Sequence, residues 1–148
     1  MPSLQDMKQK AKEAGLMKLD KLIATRQRIP DCTFPVPVKE LCERYEKLYT
    51  GCINDVMREL CLLNQNLPSD IMPLRDEMTV CGEAFTVKSA PNVMIEGEMT
   101  FRAQMLDDFK PEGVVVWDTS EDTEASLWGG VMTATAITKG IRGAVIAG

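Results

Sequence analysis

The sequence predicts an α/β fold, and three observations carry that expectation. The second half of the chain alternates strand-like and helix-like segments. One run, "VVVWD" (114–118), is apolar without alternation, as in a strand covered on both faces. Between Ile53 and Cys61, apolar residues fall at i, i+3, i+4, i+7 and i+8, a helical signature. Strands separated by helices favour a parallel sheet with right-handed crossovers.

Residues 3–29 read as a helix. Ser3 and Asp6 have capping-box spacing, and Leu16, Leu19, Leu22 and Ile23 form an apolar stripe. The segment is either an arm that packs on a neighbour or a solvated helix pinned by that stripe. Pro30, Pro35 and Pro37 follow and block further helix. The division expected is an N-terminal arm and linker over 1–37 and an α/β domain over 38–148.

Val38–Tyr49 reads as a helix with Leu41, Tyr45 and Leu48 on one side, and Thr50 offers the cap of the next. Thr79–Cys81 and Ala84–Lys88 read as two short strands around Gly82. Glu98–Phe109 reads as a helix with Met99, Arg102, Ala103 and Leu106 on one side, the arginine snorkelling outward. "KPEG" is a turn and "TSEDTEAS" a polar loop. Gly129–Lys139 is a helix stopped by Gly140, and Ala144–Ala147 is a closing strand.

Composition narrows the function. The chain has 148 residues and a net charge of −5, which disfavours nucleic acid and anionic membrane surfaces as partners. It has no apolar run long enough to cross a bilayer, and its polar N-terminus is unlike a secretory signal. Its five cysteines form no CxxC pair and read as reduced, buried thiols of a cytoplasmic protein. The absence of histidine removes Ser-His-Asp and Cys-His triads and histidine zinc sites. Acid–base or metal chemistry must therefore use carboxylates, lysine, tyrosine, water or backbone amides.

The start of the last helix, "WGGVM", is the main candidate site. First-turn amides lack intrahelical partners, two glycines admit a ligand close to the backbone, and the helix dipole adds positive charge. Gly129, Gly130, Val131 and Met132 are the candidate binding residues, for a carboxylate or phosphate. The alternative is a Gly-Gly pair that only lets the helix pack closely. Neither a Walker loop nor a GxGxxG fingerprint is present. Asp118, Glu121, Asp122 and Glu124 offer oxygen ligands for Mg²⁺ or form a solvated acidic loop. Asp55, beside Asn54, reads as serving the local helix dipole or cap. Trp117 and Trp128 read as packing residues.

"TGCINDVM", "CGEAFTV" in a hairpin, "PEGVVVWD" and "ASLWGGVMTATAITKGIRGAVIAG", in that order, resemble the RraA-like proteins, from about Tyr49 to Gly148. That family includes 4-hydroxy-4-methyl-2-oxoglutarate/4-carboxy-4-hydroxy-2-oxoadipate aldolases. The resemblance implies a swivelling β/β/α-type fold and assembly as homotrimers or hexamers. It also implies binding of pyruvate, or a 2-oxo acid containing it, on amides matching Gly129–Met132.

A family element, an acidic residue and then Arg-Asp after twenty residues, supplies an arginine for the pyruvyl oxygens. Its aspartate anchors Mg²⁺ or Mn²⁺. Here the acidic position falls on Gly130, and the Arg-Asp is expected three and four residues past Gly148. The sequence is thus expected to be a truncated product or a fragment with no catalytic residue of its own, inactive alone. The resemblance implies a carbon–carbon lyase, acting by aldol cleavage or oxaloacetate-type decarboxylation, once Arg-Asp is supplied. Two other readings stand: a non-catalytic regulator of an RNA-degrading enzyme, and a generic α/β ligand-binding domain.

Overall fold

The computed structural model describes Asp6, Gln9 and residues 33–91, 97–122 and 124–147. The helix expected over 3–29 lies outside them apart from Asp6 and Gln9, both helical, and so does Cys32. The chain divides into two compact units. One is Met1–Pro35 with Leu48–Leu67; the other is Val36–Lys47 with Pro68–Gly148.

In the first unit, helix α2 spans Thr50–Glu59. Tyr49, in extended conformation, is its N-cap, so Thr50 is the first helical residue and not the cap expected from its hydroxyl. Ile53, Met57, Leu60 and Cys61 of the apolar stripe are half-buried, whereas Val56 is exposed.

The second unit opens with α1, Val38–Tyr45, which ends four residues earlier than its pattern suggested. The stripe is also displaced. Cys42 is the buried residue, flanked by half-buried Val38 and Leu41, while Tyr45 faces solvent. The chain then turns so that Glu46 reaches Arg142.

The sheet has three strands: β1 (Glu83–Lys88), β2 (Gly113–Asp118) and β3 (Gly143–Ala147). They lie in the order β1-β2-β3, all parallel. Helix α3 (Glu98–Asp107) joins the first two and α4 (Gly130–Thr138) the last two. The α/β class expected from the alternation is therefore the observed one. The hairpin expected around Gly82 is not: β1 pairs with β2 in parallel, and Thr79–Cys81 is not a strand. Gly82 serves another purpose. A Cβ there would lie 2.6 Å from both the Glu112 carbonyl oxygen and Val114 Cγ2, so only glycine lets the chain pass into β1.

Register sets the core. Phe85, Val115 and Ala144 lie side by side, as do Val87, Trp117 and Ile146. Equivalent positions on paired strands share a face. Val115 packs with Phe109 and Ala136, and Phe85, Val87, Met105, Leu106, Trp128 and Ile141 close around them. Phe85 meets Phe109 edge-on at 5.2 Å. Burying a side chain such as Phe109 contributes roughly 1.5–3 kcal/mol. Central β2 is covered on both faces, as its unbroken apolar run predicts. In α3 the inward residues are Met105 and Leu106, while Met99 and Ala103 of the expected stripe face solvent.

Gly140 ends α4 with φ +76°. The Gly140 amide bonds the Ile137 carbonyl and the Ile141 amide that of Ala136, the paired bonds of a Schellman motif.

Candidate functional site

The carboxyl ends of the parallel strands, where open α/β sheets place ligands, carry an ion pair and an acidic loop. Lys88 ends β1 and Asp118 ends β2, and they form a 3.0 Å ion pair. The second Asp118 oxygen accepts the Ser120 amide at 2.9 Å. That amide, followed by Lys88, holds the Asp118 carboxyl below its ordinary value. Asp122 Oδ1 accepts the amides of Glu124 and Ala125. Asp118 in part and Asp122 thus shape their own loop.

This decides how the residues fit a divalent cation. Among the described residues no three acidic or cysteine groups gather to hold one, and Asp118 already has two partners. The described groups do not make a metal centre by themselves.

Beyond the loop, α4 begins on Gly129, an extended N-cap with φ −142°. No side chain caps this helix. Ser, Thr, Asp or Asn at that position would occupy a first-turn amide; glycine leaves it open. A Cβ on Gly129 or Gly130 would meet nothing within 4 Å. Among the described residues of this chain, then, nothing packs closely against the glycines, the alternative that their sequence left open. Val131 is exposed and Met132 is buried, its side chain turned into the core. Any part Met132 plays at the surface falls to its backbone.

Two features escaped the sequence reading. Thr133 Oγ1 donates to the Gly129 carbonyl at 3.1 Å and accepts the Trp128 indole N–H at 2.9 Å. Trp128 stands edge-on to Trp117 at 6.5 Å, and the Trp117 indole N–H donates to Ser89 Oγ at 2.9 Å. Both tryptophans pack, as expected, but each also spends its one donor. A threonine four residues past a glycine cap was the available signal, since threonine hydroxyls back-bond the i−4 carbonyl.

Trp117 also lines a cavity of about 630 Å³ with Val87, Ser89, Phe101, Arg102 and Leu127. Arg102 does not snorkel freely. Its guanidinium pairs with Glu98 at 2.7 Å and reaches the Leu127 carbonyl at 3.4 Å. Asp55, weighed as a helix-dipole residue, lies beyond the first turn of α2, which holds no acidic residue.

The sequence model of the family described as RraA-like, Aldolase/RraA, matches residues 50–148. A solved structure, "Crystal structure of novel cellulases from microbes associated with the gut ecosystem", is similar in sequence and fold. It shares 59% identity at a TM-score of 0.75, over 93% of this chain and 62% of that one. The present chain thus spans less than two-thirds of that protein's length. No curated protein matches it.

Proposed function

Because the chain belongs to the RraA-like family, we propose that the start of α4 is the amide half of a 2-oxo-acid site in a carbon–carbon lyase. The observation that carries this reading is the uncapped, open start of α4 at Gly129 and Gly130. Amides of Gly130, Val131 and Met132 would receive the carboxylate of pyruvate or of a pyruvyl-containing substrate. The helix dipole favours that anion. When a bond to the carbon next to the keto group breaks, charge gathers on the keto oxygen. Fixed backbone donors stabilise such charge without reorganising, and one good donor is worth about 10²–10³ in rate. On this reading an Arg-Asp element supplies the charged half, and this chain alone turns over little.

Members of the family act as lyases or regulators. Copies of this chain are proposed to assemble as trimers or hexamers. Helix α4 contains no charged residue and exposes Val131 and Ile137, which supports association. The four cysteines among the described residues are unpaired, in keeping with a cytoplasmic setting, although only Cys42 is buried as expected and Cys52, Cys61 and Cys81 are half-buried. The division into an arm over 1–37 and a domain over 38–148 stays a proposal.

The test is pyruvate release from 4-hydroxy-4-methyl-2-oxoglutarate with Mg²⁺. It compares this chain with one extended to carry Arg-Asp three and four residues past Gly148. Turnover by the extended chain alone is expected. Turnover by neither favours the regulatory reading.

The similar structure's description as a cellulase gives a second reading specific ground. Glu98 and Asp122 both line the cavity beside Trp117, and glycoside hydrolysis uses two facing carboxyl groups. Release of reducing sugar from cellulose by this chain would favour it. Glu98 is tied to Arg102, and Asp122 to loop amides, which weighs toward the lyase reading.

A further inference from the structure

We infer that Thr133 and Trp128 are positioning residues for the amide cradle at the start of α4, an inference that rests on the reading just given. A glycine cap leaves a site open but loose, because glycine has the widest backbone freedom of any residue. Something else must fix the direction in which the first-turn amides point.

Thr133 supplies it. Its amide and its hydroxyl both bond the Gly129 carbonyl, at 3.0 and 3.1 Å, so the cap residue is held twice from one side chain's position. The Trp128 indole N–H then fixes the hydroxyl rotor from outside. Trp128 is steadied by the edge-on contact with Trp117, which is anchored through Ser89 at the end of β1.

The consequence is chemical. A conventional Ser or Asp cap would orient the helix start by occupying its amides. Here the bonds act on the Gly129 carbonyl, so the helix start is oriented while its donors stay vacant. A ligand carboxylate then takes the place a capping side chain would fill. Threonines 135 and 138 back-bond in the same way, to the Val131 and Ala134 carbonyls. Only the Thr133 hydroxyl also receives a tryptophan N–H, and only its bond reaches the cap.

The experiment uses the full chain with pyruvate and oxalate as probes, oxalate being a planar stand-in for an enolate of pyruvate. Affinities are measured by calorimetry with and without Mg²⁺ for wild type, Thr133→Val, Thr133→Ser and Trp128→Phe. Losing one such bond should weaken binding about three- to tenfold in Thr133→Val and Trp128→Phe. Thr133→Ser, which keeps the hydroxyl, should stay within about twofold of wild type. Equal affinity in Thr133→Val and wild type overturns the inference, and so does failure of serine to rescue.

Should neither wild type nor the chain extended to carry Arg-Asp bind either probe, the lyase reading falls. Positioning is then decided by amide order parameters at Gly129 and Gly130. A drop in Thr133→Val but not in Thr133→Ser upholds it; equal values in all three overturn it.

Discussion

Arg142 Nη1 donates to the Glu112 carboxylate at 2.7 Å, and Glu112 holds a left-handed backbone, φ +65°, where it does so. The same guanidinium reaches Glu46 just past α1, so one arginine at the start of β3 ties the lead-in of β2 to the end of α1. Both carboxylates hold Arg142 still more firmly protonated than usual. A left-handed conformation is costly for any residue but glycine. Glu112 occupies a position that suits glycine and contributes a carboxylate that glycine lacks.

Comparing two substitutions separates these effects. Glu112→Ala loses the ion pair and keeps the strained backbone; Glu112→Gly loses the pair and relieves the strain. Urea unfolding should find the glycine variant more stable than the alanine variant by about 1 kcal/mol. Arg142→Ala should cost about 1–2 kcal/mol, less at high salt, since all three side chains are partly exposed. Equal stabilities for the two Glu112 variants would remove the strain argument.

Close backbone approach at Gly82 makes a sharper demand. Gly82→Ala forces its methyl against a carbonyl oxygen that cannot rotate away. The expected cost is about 1–3 kcal/mol. Gly140→Ala, with φ +76° but no contact under 3.4 Å, should cost about 1 kcal/mol. Thermal or urea unfolding that ranks them in reverse would contradict the geometry.

Titration offers two tests of opposite sign. Asp118 is held low by the Ser120 amide and then by Lys88, so its stabilising effect is present at neutral pH. That effect is lost as pH falls through its depressed folded value. Asp118→Asn should flatten the acid limb of the stability curve, and carboxyl carbon shifts should place the Asp118 titration below ordinary aspartates. Burial pushes the Cys81 thiol up to about 11, with the neighbouring Cys42 adding to it. A raised value stabilises the folded state below the ordinary 9.0, an effect lost as pH climbs through about 11. Cys81 should therefore resist alkylation at neutral pH, and its thiolate absorbance should emerge only near that value.

What the sequence revealed depended on whether local pattern or distant contact decided the outcome. The unbroken apolar run at 114–117 suited a strand covered on both faces, and Gly140 suited a helix stop. Both hold. The supposed hairpin at Gly82 failed because that glycine answers to Glu112 and Val114, some thirty positions away, and not to a turn. Helix α1 stops at Tyr45, and the next residue, Glu46, pairs with Arg142, a partner that helical periodicity does not reveal. At the candidate site, the glycine pair announced open amides. Its support did not show, because the Trp128–Thr133 bond and the Trp117–Ser89 bond arise from side-chain geometry that spacing alone does not fix.

The most direct test follows backbone amide resonances of the full chain during titration with pyruvate. Saturable shifts are expected at Gly130, Val131 and Met132, abolished when Gly129→Asp installs a capping carboxylate that competes for the same donors. Shifts confined to the cavity around Ser89, Phe101 and Arg102, with the start of α4 unmoved, would contradict the amide site.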